Sequence, residues 1–282
     1  MISIVVSSYK PQLLQNLKVN IEDTIGTAYE LIVIENANAM SLTKAYNLGF
    51  QKSKYDIVAF IHEDLHIHTA NWGQVVIQYF AQMPKLGCLG VAGSKYKTQA
   101  PSALWDNGVE NRVIHILQHR TNNPSVMEHV GWQGEEKYTN VAAVDGVFIC
   151  TNKANGLAFN EAIPGYHCYD LNIAFEAKVY QLDVVVTNEI LIEHFSAGRI
   201  DNGWYAATDI LHSKYQKTLP IRINTQSNAK IEHFNYYHYI LGAYKAGLKN
   251  LSLRYWRIYF SRMPFSTNHL KLLKFFAMQS LK

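Results

Sequence analysis

Three side chains at the end of one predicted strand could do chemistry. The apolar run 56–61 is followed directly by His62, Glu63 and Asp64. A continuous Val, Ile and Phe run is typical of a parallel strand that is buried on both faces. Ligands of open α/β sheets lie at the carboxyl ends of such strands. A carboxylate there could hold a divalent cation, and the cation could neutralise a diphosphate. An isolated His-x-Asp is more often a solvated strand end. Whether this one belongs to a functional site therefore depends on the polar residues elsewhere in the chain.

The elements that would position these side chains alternate between strand and helix over about the first 190 residues. This alternation predicts a parallel sheet with crossover helices. The predicted strands are 2–6, 30–34, 56–61, 86–93 and 141–150, with a strand pair at 182–187 and 190–193; the predicted helices follow Pro11 and span 42–52, 71–83 and 169–181. Residues 95–140 show weak periodicity, which indicates functional loops around a site. Beyond about residue 200 the pattern is mostly helical.

Composition describes a folded protein with a sizeable core. The chain has 282 residues, of which 48% are hydrophobic and 17% charged. We see neither a signal-peptide pattern nor an apolar stretch of the ~20 residues that a spanning helix needs, so we expect a cytoplasmic protein. The three cysteines are odd in number, and we expect buried free thiols, as in a reducing compartment. No Cys-x-x-Cys occurs, which argues against a zinc ribbon.

Polar segments follow the predicted strands in a fixed order. They are Ser7-Ser8-Tyr9, Glu35-Asn36, Lys44-Ala45-Tyr46-Asn47, His62-Glu63-Asp64, Val144-Asp145-Gly146-Val147, Gly165-Tyr166-His167-Cys168-Tyr169-Asp170 and Glu193-His194-Phe195-Ser196-Ala197-Gly198. In this order and spacing the chain resembles the inverting nucleotide-sugar glycosyltransferases of the GT-A fold, family 2, and within them the branch with a His-x-Asp signature. The resemblance covers roughly residues 1–200. It implies a GT-A α/β domain over 1–200, in which helices flank a Rossmann-like mixed sheet. Residues 201–282 are then a basic, aromatic helical extension of this domain.

The resemblance also implies a role for individual residues. On the nucleotide-sugar side these are Ser7, Tyr9, Glu35, Asn36, Lys44, Asn47, His62 and Glu63. Asp64 and His194 would bind Mn²⁺ or Mg²⁺, and Asp170 would be the general base. On the acceptor side the resemblance implies Asp145 and Gly146, where the glycine allows a sugar to approach the backbone closely. Further acceptor-side candidates are His167, Tyr169 and Trp105, with Trp105 as a platform that could stack on a sugar ring.

General chemistry agrees with these roles. Inversion at an anomeric carbon needs a base that takes the acceptor hydroxyl proton, and a carboxylate such as Asp170 suffices. The departing nucleoside diphosphate needs a cation or basic donors. A mixed set of carboxylate and imidazole, Asp64 with His194, suits Mn²⁺. We therefore predict metal-assisted, inverting transfer of a sugar from a nucleotide donor, with a UDP-sugar expected, to a glycan or lipid-linked acceptor in polysaccharide biosynthesis.

Two positions depart from the family pattern. His62 stands where the first acid of Asp-x-Asp is usual, and Tyr169 stands before the base where another acid is usual. These departures leave open a non-catalytic nucleotide-sugar-binding or scaffold protein of the same fold. A nucleotidyltransferase is a second alternative, although the turn after the first strand lacks the glycine-rich basic loop that holds a triphosphate. A metal hydrolase built from His62, Asp64 and His194 has no further support.

Charge is distributed unevenly along the chain. Residues 233–282 contain eight Lys and Arg and no Asp or Glu, while the remaining residues hold 18 basic and 22 acidic side chains. Basic amphipathic helices with aromatic residues dock on anionic membrane surfaces. The alternative is that the apolar side of these helices packs on the catalytic domain. The charge favours peripheral contact of 233–282 with the inner face of a membrane. No nucleic-acid motif accompanies the charge, so nucleic acid is not an expected partner.

Overall fold

The computed structural model describes residues 1–120, 123–196, 198 and 200–280. The first part of the chain alternates strands and helices as predicted. The elements are β1 (Ile2–Ser8), α1 (Pro11–Thr24), β2 (Tyr29–Glu35), α2 (Leu42–Lys52), β3 (Ile57–Ile61), β4 (Leu65–Ile67), α3 (Trp72–Gln82) and β5 (Leu86–Gly90).

The middle part is richer in strands. Its elements are β6 (Ala92–Ser94), β7 (Tyr96–Lys97), β8 (Arg112–Arg120), β9 (Asn123–Val130), β10 (Tyr138–Asn140), β11 (Ala143–Val144), β12 (Phe148–Asn152), α4 (Tyr169–Val179), β13 (Asp183–Thr187) and β14 (Ile192–His194). The last part is helical, with α5 (Asn202–Lys214), β15 (Ile221–Arg222), α6 (Ala229–Lys245), α7 (Lys249–Arg262) and α8 (Asn268–Ser280).

The main sheet has seven strands in the order β10-β13-β5-β12-β3-β1-β2. Strand β1 pairs in parallel with both β2 and β3, so the carboxyl ends of all three strands lie at one edge. Strand β12 runs antiparallel between β3 and β5, which makes the sheet mixed. The polar segments that follow β1, β2 and β3 therefore share one edge of the molecule.

A second sheet has the order β11-β6-β8-β14-β4, with β9 added on β8. Its pairing of β4 with β14 is antiparallel and sets His194 opposite Leu65. Because Asp64 directly precedes Leu65, this register brings the segment after β3 and the end of β14 together. The backbone amide of Phe195 donates to the carbonyl of Asp64 at 3.2 Å.

Three predictions about strands were wrong, all for the same reason. The run 86–93 is two strands, β5 and β6, and the run 141–150 is likewise split into β11 and β12. The predicted pair at 182–193 is β13 and β14, which do not pair with each other. In each case the chain crosses from one sheet to the other. Both sheets are buried, so the apolar pattern continues across the crossing and hides it.

The prediction of loops over 95–140 was also wrong in part. Strands β8 and β9 form a long antiparallel hairpin within it. Its apolar residues Ile114 and Ile116 are buried, but Gln118 interrupts the apolar positions on their face of the strand, and His115 and His119 lie on the other face. These polar residues weaken the alternation of apolar and polar side chains by which a strand is predicted from sequence. Residues 121 and 122 of this region lie outside the described residues.

Two hydrophobic clusters cover the main sheet. One contains α1 and α3 residues, and the other joins α2 and α4 to helices of the C-terminal part. Tyr236, Tyr239, Tyr255, Tyr259 and Leu272 belong to this second cluster and are buried. The apolar side of α6, α7 and α8 therefore packs on the α/β part. Among the described residues, no helix is long and apolar enough to cross a membrane. The three cysteines are free and buried, as predicted.

Candidate active site

His62, Asp64 and His194 form a cluster at the shared sheet edge. One ligand atom from each residue lies within 4.8 Å of the other two. Asp64 Oδ1 is 3.8 Å from His62 Nδ1 and 3.7 Å from His194 Nε2. Two imidazole nitrogens and one carboxylate oxygen make a donor set that fits a first-row divalent ion such as Mn²⁺. The sequence analysis named Asp64 and His194 as ligands, and the geometry adds His62.

The far nitrogen of His62 is held by a tyrosine. His62 Nε2 is 2.5 Å from Tyr169 Oη. Burial lowers the pKa of the His62 imidazole, and the neighbouring His194 lowers this pKa further. The neutral ring is therefore favoured, and a ring that donates from Nε2 to Tyr169 presents an unprotonated Nδ1 towards Asp64. A partner on the far nitrogen that fixes the tautomer is usual for metal-binding histidines.

A glutamine holds His194 in the same way. His194 Nδ1 is 3.1 Å from Gln118 Oε1. The amide nitrogen of Gln118 donates to the carbonyl oxygens of His119 and Ser196, each at 2.7 Å, and to that of His194 at 3.3 Å. Three carbonyl acceptors fix the orientation of the amide, so Oε1 must face His194 and accept from Nδ1–H. The lone pair of His194 then lies on Nε2, towards Asp64. Sequence reasoning missed Gln118, which lies within the region taken for loops.

Gly146 makes room for Tyr169. A Cβ atom at position 146 would lie 2.0 Å from Tyr169 Oη and 2.3 Å from Tyr169 Cζ. The sequence analysis gave this glycine the task of letting a sugar approach the backbone. In the structure, the hydroxyl of Tyr169 fills that space.

Asp170 and Asp145 are two carboxylates that line the same cavity as His62 and Tyr169. Asp170 is in the first turn of α4, which begins after Cys168 in the left-handed conformation. Burial raises the pKa of Asp170 to about 7, and the negative charge of Asp145 contributes to the rise. Asp145 Oδ1 accepts from the backbone amide of Val147 at 3.0 Å, which fixes its position. A carboxyl with a pKa near neutrality is poised to exchange a proton.

One cavity of about 690 Å³ is lined by His62, His194, Tyr169, Asp145 and Asp170, although not by Asp64. Its wall includes eight residues that the sequence analysis had selected: His62, Trp105, Asp145, Gly146, His167, Tyr169, Asp170 and His194. Its remaining wall is largely aromatic and aliphatic, with Tyr166, Trp204 and Ile114 among the lining residues. The volume is in the range of small-molecule sites.

Trp105 and His167, two residues of the cavity wall, are held in place by hydrogen bonds. The carbonyl of Trp105 accepts from Arg112 Nη2 at 2.7 Å. His167 Nε2 lies 3.1 Å from Asp201 Oδ1, and Asp201 also caps α5 by accepting from the amide of Trp204. Trp105 and His167 thus enter the cavity wall from segments far apart in the sequence.

Six of the eight residues assigned to the nucleotide side, all except His62 and Glu63, lie at the ends of β1 and β2 and on α2. Asn36 Nδ2 donates to Ser7 Oγ at 3.2 Å, and Asn36 Oδ1 accepts from the amide of Met40 at 3.0 Å. Asn47 donates to the carbonyl of Phe159 at 2.9 Å. The exposed side chains in this group are Tyr9, Glu35 and Lys44. None of these residues belongs to the described cavity wall, so they form a neighbouring surface.

Glu63 has an internal role. It is buried, and its carboxylate accepts from Ser8 Oγ at 2.6 Å and from the backbone amides of Tyr9 and Lys10 at 3.2 to 3.3 Å. These bonds tie the segment after β3 to the turn after β1. The carboxylate therefore shapes the turn on which Ser7 and Tyr9 lie.

Comparison with known proteins defines the class of the chain. A sequence model described as "Glycosyltransferase like family" matches residues 4–219, which is more than half of the chain. The chain belongs to this glycosyltransferase-like family, and it has the GT-A fold that the resemblance implied. Membership supports glycosyl transfer as the activity. No curated protein matches.

Solved structures with a related fold are distant. A crystal structure of GalNAc-T7 with UDP, GalNAc and Mn²⁺ aligns with 83% of this chain and 53% of its own chain, at 10% identity and a TM-score of 0.47. The crystal structure of A197 from STIV aligns with 70% of this chain and 86% of its own, at 12% identity and a TM-score of 0.39. The chain thus spans about half the length of the GalNAc-T7 structure.

Proposed function

We propose that the protein is an inverting glycosyltransferase that moves a sugar from a nucleotide-diphosphate donor to a glycan or lipid-linked acceptor. The observation that carries this proposal is the shared cavity. Asp170, whose pKa is raised to about 7, lines the same cavity as His62 and His194, and these two histidines form a possible metal-binding group with Asp64. A base and a diphosphate-binding centre on one cavity are the two parts that inversion requires.

In the proposed reaction, Asp170 in its ionised form accepts the proton of the acceptor hydroxyl. The hydroxyl oxygen attacks the anomeric carbon, and the bond from that carbon to the diphosphate oxygen breaks on the opposite face. His62, Asp64 and His194 would hold a divalent cation, which supplies charge neutralisation for the leaving diphosphate. Their donor set supports Mn²⁺ over Mg²⁺, because imidazole nitrogen suits the transition ion.

The donor that we propose is a UDP-sugar, with hexosyl transfer in polysaccharide biosynthesis. The nucleotide would lie over the carboxyl ends of β1 and β2, near Ser7, Tyr9, Glu35 and Asn36, with Lys44 and Asn47 at its border. Support comes from the position of this surface, since ligands of such sheets lie beyond the carboxyl ends of the strands. The acceptor would enter from the side of Trp105, His167 and Asp145.

The proposed setting is the cytoplasm, with catalysis by residues 1–200 and peripheral contact of the 233–282 segment with the inner face of a membrane. Three buried free thiols are consistent with a reducing compartment. Residues 281 and 282 of that segment lie outside the described residues. A lipid-linked acceptor would be found at the same membrane surface.

The test of this proposal is donor turnover followed by proton NMR. With UDP-sugars and Mn²⁺, the sugar released to water or to an added acceptor should first appear as the anomer opposite to that of the donor. Asp170→Asn should lower turnover by about 10²- to 10⁴-fold, the usual contribution of a general base. Asp56→Asn, an exposed carboxylate elsewhere, is the matched control. A retained anomer would contradict inversion, and full activity of Asp170→Asn would remove this residue from the base role. Donor binding without any turnover would favour the non-catalytic alternative.

A further inference from the structure

The outer surface of the C-terminal helices is unusually apolar for a surface. Phe265, in the turn between α7 and α8, is 97% exposed, and Leu270 is 70% exposed. Leu273 and Met278 on α8 and Phe260 on α7 are also exposed. We call these five residues the C-terminal apolar surface. Helix α8 buries Leu272 on its inner side, so its outward leucines are not needed for packing on the protein.

The same elements carry only positive charge. From residue 233 to the end the sequence has no Asp or Glu. On α8, Leu270, Leu273 and Lys274 share one outward face at helical spacing, with Lys271 beside them. On α7, Arg254 pairs with Asp209. Within the described part of the chain, no carboxylate lies in ion-pair distance of Arg257, Lys271 or Lys274, so these cations can meet an external anion.

A shallow depression of about 520 Å³ adjoins this surface, between α6 and the start of α8. Its aromatic residues are Phe234, Tyr237 and Phe265, and its basic ones are Lys230, His233, His238 and Lys271. The lining contains no carboxylate among the described residues. The Lys271 ammonium lies 5.9 Å from the centre of the Tyr237 ring, which keeps it at the rim of the depression. A phosphate group could be neutralised there while apolar side chains lie next to it.

We propose that α8, the turn around Phe265 and the depression dock on an anionic phospholipid bilayer. Phe265, Leu270 and Leu273 enter the boundary between headgroups and acyl chains, and Lys271 and Lys274 meet lipid phosphates. Exposed aromatic and aliphatic side chains flanked by lysines are the pattern of interfacial helices. This inference rests on the peripheral membrane contact proposed above and names the residues and the lipid charge that would make it. It needs neither donor nor metal, so its test is independent of transferase activity.

The experiment is co-sedimentation of the full chain with vesicles of phosphatidylcholine alone or with added phosphatidylglycerol. We expect binding to the anionic vesicles that weakens with salt. One basic residue near an anionic surface changes the partition coefficient by about fivefold, so Lys271→Glu with Lys274→Glu should lower it by about 25-fold or more. Phe265→Ser should lower it on the order of tenfold, because an aromatic side chain no longer leaves water.

The matched control uses α1 on another part of the surface. Lys18→Glu with Val19→Ser changes an exposed lysine and an exposed valine, and it should leave binding unchanged. Circular dichroism and a melting curve verify that each variant is folded. Absence of binding to anionic vesicles at low salt would overturn the proposal, as would equal binding of the parent and the Lys271/Lys274 variant. Sedimentation equilibrium that shows a dimer dissociated by Phe265→Ser would also overturn it, because a second copy would then cover the surface.

Discussion

His62 Nε2 and Tyr169 Oη lie 2.5 Å apart, although the two residues are 107 positions apart in the sequence. Both residues depart from the family pattern, where an acid is usual at each position. The two departures therefore meet in space and form one hydrogen-bonded unit. A histidine in place of the first acid still offers a metal ligand, and the tyrosine supplies the partner that orients it.

The first prediction concerns Tyr169→Phe. The variant loses the hydroxyl that orients His62, and it should weaken Mn²⁺ binding by about 10- to 100-fold, as loss of such partners usually does. Titration of Mn²⁺ monitored by electron paramagnetic resonance measures this change. In ¹⁵N NMR of the metal-free protein, the shifts of His62 should move away from those of a single tautomer. Tyr29→Phe, which removes a hydrogen bond to Glu22 at 2.5 Å, is the control. Unchanged Mn²⁺ affinity together with unchanged shifts would rule out a positioning role for Tyr169.

The second prediction concerns Gly146→Ala. The added methyl would lie 2.0 Å from Tyr169 Oη, so the ring must move and release His62. We expect a loss of Mn²⁺ affinity at least as large as that of Tyr169→Phe. Gly198→Ala is the matched control, because no described atom lies within 4 Å of the position that its Cβ would take. Equal Mn²⁺ affinity in the two alanine variants would contradict the claim that Gly146 makes room for Tyr169 and so keeps His62 oriented.

The third prediction is a pH profile. Asp170 must be ionised to act as a base, and its pKa is raised to about 7 by burial and then by Asp145. Activity should therefore fall about tenfold per pH unit below this pKa. Asp145→Asn removes a negative charge that disfavours ionisation of Asp170, so the acid limb of kcat/KM should move to lower pH. An acid limb that stays in place or moves upward would show that another group controls the profile. The exposed Asp56→Asn should leave it unchanged.

The fourth prediction is that Asp170→Asn, which removes the proposed base, makes the folded protein more stable. The folded protein holds the Asp170 proton more tightly than the unfolded chain, so stability falls as pH rises from about 4 to about 7. A shift from 3.8 to about 7 corresponds to a cost on the order of 4 kcal/mol at alkaline pH. Asp170→Asn avoids this cost. Urea denaturation with EDTA present should show a higher free energy of unfolding for the variant at pH 8, and a small difference at pH 4. The same difference at both pH values would mean that ionisation of Asp170 is not the cause.

Local signals in the sequence were sufficient for the helices that border the site. Helix α2 was predicted at 42–52 and is observed there, because its buried residues repeat at helical spacing and Ser41 caps it by accepting from the amide of Lys44. The strand ends that carry Ser7, Asn36 and His62 were likewise visible as polar residues after apolar runs.

Long-range pairing explains what was missed. The bond between Gln118 and His194 spans 76 positions and depends on the parallel register of β8 with β14. No periodicity along the chain contains that register. The space beside Gly146 also depended on the side chain of Tyr169, which only the folded chain brings there. The family resemblance supplied roles for single residues, but not the partners that orient them.

The most direct test of the account is a melting curve with UDP, in the presence and absence of Mn²⁺, for the parent protein, Asp64→Ala and the exposed control Asp56→Ala. A ligand that binds only the folded state raises the midpoint of unfolding. We predict a rise with UDP that requires Mn²⁺, persists in Asp56→Ala and disappears in Asp64→Ala. No rise with UDP or any other nucleotide diphosphate, or an equal rise in Asp64→Ala, would contradict a metal-assisted nucleotide-sugar site at His62, Asp64 and His194.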